Sequence, residues 1–282
     1  MELPLQLAAE VQRNVLAALV EDIGGGDLTA WLTTPERRSQ GTVISREEAV
    51  LAGTAWFDAC FRQLDPQAVI HWQARDGERI GAGHALCSIE ANTRALLTAE
   101  RAALNFLQLL SATATVTRLY VDAITGTGAR IVDTRKTLPG LRLAQKYAVT
   151  CGGGTNHRFG LYDGILIKEN HIMAAGGVTA ALVQARAIGR EDVFIQIEVE
   201  TLEQLAEALD GGAKMILLDN MDLAQMRQAV GFTAGRAQLE ASGGVSLETV
   251  RAIAETGVDR ISIGGLTKNV RAIDLSLRHS EG

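Results

Sequence analysis

Residues 130–171 read RIVDTRKTLPGLRLAQKYAVTCGGGTNHRFGLYDGILIKENH, and this stretch decides the architecture. Ile131 and Val132 end a short β-prone run, and Asp133-Thr134-Arg135-Lys136-Thr137 follows at its carboxyl end. Pro139-Gly140 breaks the chain, after which Leu141 to Val149 carries helical spacing. A second apolar run, Gly164 to Ile167, delivers Lys168-Glu169-Asn170-His171 in the same way, and Gly152-Gly153-Gly154 and Asn156-His157-Arg158 lie between the two runs. Two strand ends and a glycine-rich loop thus present Arg135, Lys136, His157, Arg158 and Lys168. A single Lys or Arg is ordinarily a solvated surface charge. Five cationic groups at repeated strand ends instead suit a ligand with several carboxylates or phosphates.

Beyond Gly128 the rhythm of strand, polar end and helix repeats. Strands are expected at Ile131–Asp133, Ile165–Ile167, Val193–Val199, Met215–Leu218, Ala237–Leu239 and Arg260–Ile263. Helices are expected at Val178–Ile188, Leu202–Leu209, Leu223–Val230 and Leu247–Thr256. Such alternation implies parallel strands with right-handed crossovers, in either a barrel or a doubly wound sheet. Periodicity does not choose between them. The later strand ends are also polar: Glu198-Val199-Glu200, Asp219-Asn220, Glu240-Ala241-Ser242-Gly243-Gly244 and Gly264-Gly265-Leu266-Thr267-Lys268. Glycine turns after late strands suit a phosphate held by backbone N–H groups. Glu198 and Asp219 suit a ribose or Mg²⁺, although helix capping is an ordinary role for Asp219.

The amino-terminal part has a different rhythm. Leu7 to Glu21 is helical, with Leu7, Val11, Val15 and Leu19 on one stripe. Short β-prone runs at Thr42–Ser45, Ala68–Trp72 and Ala85–Ile89 alternate with turns, and Thr54–Leu64 reads as a helix, which suggests a small α+β domain. His71 and His84 lie here and receive no catalytic role. In the long helix Leu96 to about Thr125, Arg101 shares a stripe with Leu97 and Leu104. Snorkelling from a buried face is its ordinary reading, and an arginine held at an interface to meet an anion is the sharper one.

Composition bounds the function. With 47% hydrophobic and 21% charged residues the chain is globular, and its net charge of −6 argues against nucleic-acid binding. Cys60, Cys87 and Cys151 are scattered and odd in number, which points to a reducing compartment without a zinc site. Cys151 reads as packing. No signal peptide or run of the ~18 apolar residues needed to span a membrane is visible, so a cytoplasmic protein is expected.

The blocks DTRKTLPGLR, KYAVTCGGGTNHRFGLYDGILIKENH, EVE, ILLDN, EASGG and SIGGLTK, preceded by EDIGGGDLT near the start, resemble the quinolinate phosphoribosyltransferase family. The resemblance runs to Lys268, and Gly265 stands where the family more often has Ala. It implies an open, seven-stranded α/β barrel with an N-terminal α+β domain. Residues 1–110 would form that domain, with about 270–282 packed back on it, and 111–269 the barrel. It implies that quinolinate and phosphoribosyl pyrophosphate give nicotinate mononucleotide, pyrophosphate and CO₂ in NAD biosynthesis, with Mg²⁺ required. By the resemblance Arg101, Arg135, His157, Arg158 and Lys168 would contact quinolinate, Arg101 reaching in from the neighbouring subunit of a homodimer or of a higher oligomer built from it. Lys136, Glu198, Asp219, Ser242, Gly243, Gly264 and Lys268 would face the phosphoribosyl part, and Thr134, Gly244, Gly265 and Leu266 would also bind substrate. Lys136, Lys168, Glu198 and Asp219 would act in catalysis, with Glu198 and Asp219 on the metal. The rival readings are a relative acting on another ring acid, the molybdenum-transport relative of the family, and a non-catalytic anion-sensing barrel. Paired carboxylates at Glu198 and Asp219 argue against the last.

Overall fold

The architecture is that of a computed structural model, which describes residues 5–188, 190 and 192–280. Residues 1–4 of the expected first domain and 281–282 of the expected returning segment lie outside the described residues.

In chain order, helix α1 (Leu5–Ile23) leads through a 3₁₀ turn to strands β1 (Arg38–Ser45) and β2 (Ala49–Val50). Helix α2 (Thr54–Leu64), strands β3 (Val69–Trp72), β4 (Arg79–Ile80) and β5 (Ala85–Asn92), and the long helix α3 (Thr93–Ala123) follow. Then come β6 (Arg130–Val132), α4 (Arg142–Cys151), β7 (Gly164–Ile167), α5 (Glu169–Ala175) and α6 (Val178–Ala187). The alternation continues through β8 (Phe194–Val199), α7 (Leu202–Asp210), β9 (Met215–Asp219), α8 (Leu223–Thr233), β10 (Gln238–Ser242) and α9 (Val250–Ala254). It ends with β11 (Arg260–Ser262), a single turn α10 (Gly265–Lys268) and β12 (Leu275–Ser280). No helix of the described residues is long and apolar enough to cross a membrane.

The chain divides into two compact units. The first comprises Met1–Arg118, Thr137–Gly153 and Leu266–Gly282. Its sheet has the order β12-β1-β5-β3, with antiparallel pairing throughout, so β12 returns to extend β1 from Gln40↔Ser280 to Ser45↔Leu275. Trp56, Phe57 and Phe61 on one face of α2 are fully buried in its core. Asn14 of α1 accepts the Trp56 indole N–H at 3.0 Å, which satisfies the polar handle that a buried tryptophan brings inside.

The second unit comprises Leu119–Lys136 and Gly154–Gly265. Its strands run parallel in the order β6-β11-β10-β9-β8-β7. The first strand pairs with the last, which is the wrap-around order of a barrel. Between β6 and β7 the ring is open. Thr155 takes the seventh place by a parallel bridge to Val132, donating its N–H to Ile131 O at 2.8 Å and accepting from Asp133 N at 3.1 Å. Ile197, Val199, Ile216, Leu218 and Ala241 are fully buried along the strands. Helix starts are fixed locally: the Thr201 hydroxyl accepts from Gln204 N, and Asp222 and Gln225 form a reciprocal capping box.

Three local expectations need correction. The strand expected at Ala237–Leu239 lies at Gln238–Ser242, because pairing with β9 carries the extended backbone on to Ser242↔Asp219. The helix expected from Leu247 starts at Val250, because Ser246 and Thr249 form a turn in which Ser246 N–H donates to Thr249 Oγ1 at 2.9 Å. Arg101 is not on a buried stripe. Leu96, Ala99, Ala103, Leu107 and Leu110 define the buried face of α3, and Leu97 and Arg101 lie on the exposed side. An arginine already in solvent has no need to snorkel.

Candidate active site

The carboxyl ends of the barrel strands bring most of the expected residues to one rim, where parallel barrels build their sites. After β6, Asp133 is fully buried and accepts the His157 backbone N–H at 2.9 Å and the Asn156 amide at 2.7 Å. This carboxylate ties the glycine-rich loop to the first strand end. The loop therefore delivers Arg158 beside Arg135. Burial first, and the Arg135 charge second, hold the Arg158 guanidinium below the ordinary arginine range, with Asp163 opposing them. Arg158 also donates from Nη1 to Gly164 O at 2.9 Å, which fixes its direction. Two guanidinium groups side by side at a rim suit a ligand that brings anionic charge.

His157 sits deeper. It is 8% exposed, its Nδ1 accepts the Arg158 backbone N–H at 2.7 Å, and its Nε2 meets Gln196 Oε1 at 2.7 Å. Both ring nitrogens are thus engaged inside the barrel, behind the arginines.

On the next ends, Lys168 Nζ stands 3.4 Å from Glu198 Oε2, and the lysine side chain is half-exposed while Glu198 is largely covered. The Lys168 backbone N–H donates to His171 Nδ1 at 2.9 Å, which anchors the start of α5. Glu198 pairs in register with Leu217, so Glu198 and Asp219 share a face of the sheet. Asp219 accepts from Asn220 Nδ2 at 3.1 Å, and Asp222, not Asp219, caps the following helix. Asp219 is thereby released from its ordinary structural role. Among the described residues no three His, Cys, Asp or Glu side chains gather as a metal cage. Two carboxylates are nevertheless a suitable protein share for Mg²⁺, which commonly takes its other ligands from water and substrate phosphates.

The last strands supply the close approaches. Gly243 has φ +102°, and a Cβ there would fall 2.0 Å from Asn220 Oδ1, so only glycine fits beside that side chain. Ser242 accepts the Asn220 N–H at 3.0 Å through its carbonyl, and Gly244 (φ +59°) faces open space. A Cβ on Gly264 would stand 2.9 Å from Lys136 Cδ and 3.6 Å from Thr134 Oγ1. The Lys136 stem therefore lies across the end of β11. Lys136 N–H donates to Thr134 Oγ1 at 3.1 Å, a local turn that turns the lysine outward. In the first unit, Leu266 is fully buried, Gln145 Nε2 donates to Thr267 O at 2.7 Å, and Lys268 and Arg101 are exposed.

Three groups escaped sequence reasoning: Asp133, Gln196 and Arg260. Glu240 was seen as a strand end but given no role. The available signal was period-two spacing, since Gln196 and Glu198 fall on one side of β8 inside an otherwise apolar run. Cys151 behaves as packing, with burial first and Asp76 second pushing its thiol up to about 12.

Known proteins resemble this chain along most of its length. The quinolinate phosphoribosyl transferase C-terminal domain model matches residues 113–278, and the N-terminal domain model matches 27–111. The probable carboxylating nicotinate-nucleotide pyrophosphorylase of Bacillus subtilis is 42% identical over 92% of this chain and 89% of its own length. The chloroplastic carboxylating nicotinate-nucleotide pyrophosphorylase of Arabidopsis thaliana is 39% identical over 95% and 82%. The structure of the Francisella tularensis nicotinate-nucleotide pyrophosphorylase superposes with a TM-score of 0.93 at 41% identity, covering 99% of this chain and 98% of that one.

Proposed function

The chain belongs to the quinolinate phosphoribosyltransferase family, and from that premise we propose how its residues divide the work. The enzyme is a decarboxylating pentosyltransferase of NAD biosynthesis, acting on quinolinate and phosphoribosyl pyrophosphate. The observation that carries the division of labour is the loop tied down by Asp133, which sets Arg158 at the rim beside Arg135, where the two like charges oppose each other. A dicarboxylate relieves that repulsion, and a planar guanidinium fork matches a carboxylate in two parallel hydrogen bonds. Quinolinate binds there, with Lys168 beside it and His157 behind.

The phosphoribosyl part lies toward the later strands. Lys136 with Thr134 and Gly264, and the Ser242-Gly243-Gly244 turn, hold its phosphates. Glu198 and Asp219 flank the ribose and would hold Mg²⁺. When bound, the metal supplies positive charge that stabilises the departing pyrophosphate. The chain's own residues do the rest. As the C1–oxygen bond lengthens, positive charge grows on the ribose, and nearby carboxylates favour it over the ground state. The pyridine nitrogen of quinolinate attacks C1, so no protein nucleophile is needed. Quaternisation makes the ring an electron sink, and the adjacent carboxylate leaves as CO₂ with its bonding electrons left on the ring carbon. That carbon then takes a proton. Lys168, already 3.4 Å from Glu198, links the acid-binding and ribose-binding halves.

Arg101 belongs to a neighbouring subunit's pocket in this proposal, its exposure on α3 leaving it available to a partner. The protein works as a cytoplasmic homodimer. Its three free cysteines support a reducing compartment. The decisive assay is release of labelled CO₂ from carboxyl-labelled quinolinate with phosphoribosyl pyrophosphate and Mg²⁺. Stoichiometric CO₂, pyrophosphate and nicotinate mononucleotide are expected. Nucleotide formation from another ring acid, with none from quinolinate, would overturn the substrate assignment.

A further inference from the structure

Beneath the rim the barrel holds polar groups that the reaction scheme does not use. Barrel interiors are ordinarily filled by branched apolar side chains, yet Gln196 and Glu240 are each 1% exposed. They are consecutive links in a buried chain. Arg158 N–H donates to His157 Nδ1 at 2.7 Å, His157 Nε2 meets Gln196 Oε1 at 2.7 Å, and Gln196 Nε2 donates to Glu240 Oε2 at 3.2 Å. Arg260 Nε stands 3.1 Å from the same carboxylate oxygen. Glu240 Oε1 is buried without a hydrogen bond, 3.8 Å from His157 Nε2.

Only one direction of donation satisfies every link. An ionised carboxylate is acceptor-only, so the Gln196 amide must turn its NH₂ toward Glu240. Its carbonyl then faces the imidazole, which can meet it only with the proton on Nε2. That leaves Nδ1 bare, the acceptor that the Arg158 backbone N–H requires. Reversing any link sets donor against donor or acceptor against acceptor. We propose that Glu240, acting through Gln196, fixes the tautomer of His157 and so the backbone of Arg158, making Gln196 and Glu240 positioning residues for the dicarboxylate pocket. This rests on the reading of Arg158 as a quinolinate ligand. Stability does not account for the pair, since apolar side chains of similar volume commonly do as well in a core. What the charge adds is direction.

Glu240→Gln keeps the shape and removes the direction, because an amide presents either end. Calorimetry should then show quinolinate binding weakened roughly tenfold, equivalent to about 1.4 kcal/mol, with phosphoribosyl pyrophosphate binding unchanged. Exchanging the two side chains, Gln196→Glu with Glu240→Gln, moves the carboxylate one link closer to the imidazole and restores one-way donation. Affinity should return to within about threefold of native, the residual expected of a well-compensated pair. The tautomer is read directly by long-range ¹H–¹⁵N correlation on ¹⁵N-histidine-labelled protein, with His157→Gln assigning the signal. Native protein and the exchanged variant should carry the proton on Nε2, and Glu240→Gln alone should show a mixture or the Nδ1–H form.

A native Nδ1–H tautomer, a Glu240→Gln variant with native tautomer and affinity, or an exchange no better than the single change would each overturn the proposal. Equal loss for both substrates would also do so, since it marks general damage to the barrel. Arg158→Ala separates the two layers. Native quinolinate affinity in that variant would overturn the ligand reading, and the inferred effect on the pocket with it, whatever the tautomer.

Discussion

Replacing Gly264 by alanine isolates Lys136 without touching it. The new Cβ would stand 2.9 Å from Lys136 Cδ and 3.8 Å from its Cβ. Carbon atoms rest at about 3.5–4.0 Å, so the lysine stem must move by roughly 0.5–1 Å. Gly264 lacks the left-handed φ of Gly243 and Gly244, so alanine adds no backbone strain there. Lys136 is exposed, and the stability cost should stay within about 0.5 kcal/mol, a Tm change of about 1–2 °C. Turnover is less forgiving. A displacement of about 1 Å at a reacting group can cost on the order of 100-fold, so kcat should fall about tenfold to a hundredfold, or ~1.4–2.7 kcal/mol. Quinolinate affinity should be unchanged. The assay is steady-state turnover at saturating substrates, paired with a melting curve and with the same change made on Lys136→Ala. On that background Gly264→Ala should cost far less than on the native one, because most of its effect runs through the lysine. Native kcat in the single variant, or a full further loss on the Lys136→Ala background, would refute the reasoning.

Arg135→Ala should weaken quinolinate binding by ~1.5–3 kcal/mol, about tenfold to a hundredfold, and leave phosphoribosyl pyrophosphate nearly untouched; titration of both ligands checks it, and equal losses would count against a dicarboxylate pocket. Glu198→Gln and Asp219→Asn should each lower turnover and raise the Mg²⁺ concentration for half-maximal rate at intact quinolinate affinity. An unchanged Mg²⁺ dependence in both would leave these carboxylates a ribose-binding role alone. Arg101→Ala and Lys168→Ala should each be nearly inactive as homodimers, yet a doubly tagged mixed dimer should recover up to about half of native activity, since one of its sites is whole. A mixed dimer of confirmed mass that stays inactive would place Arg101 within its own subunit.

Local signals were largely legible in the sequence. The helix expected at Thr54–Leu64 has those bounds, and the run before Lys168 is strand β7. Their periodicity and punctuation are contained within a few residues. What depended on partners far along the chain was not legible. The pairing of β6 with β11 closes the barrel order, and β12 joins β1 only through distant register. The stripe of Leu97, Arg101 and Leu104 was misplaced because one turn of apolar spacing on a long helix does not say which face is covered. The rim cations were found because charge at a strand end is unusual in itself. Gln196 and Glu240 were missed because an inward polar residue and an outward one look alike until the face is known.

The antiparallel match of Leu275–Ser280 with Arg38–Ser45 also sets a timetable. A chain emerging from the ribosome at about 5–20 residues per second must wait on the order of ten seconds or more between making one of these strands and the other. During that wait the β1 edge opposite β5 presents unpaired N–H and C=O groups, a template for any extended segment. The earlier of the two strands to be made is thus left waiting for the later one, and removing residues 275–280 should leave an aggregation-prone edge and not merely a shorter protein.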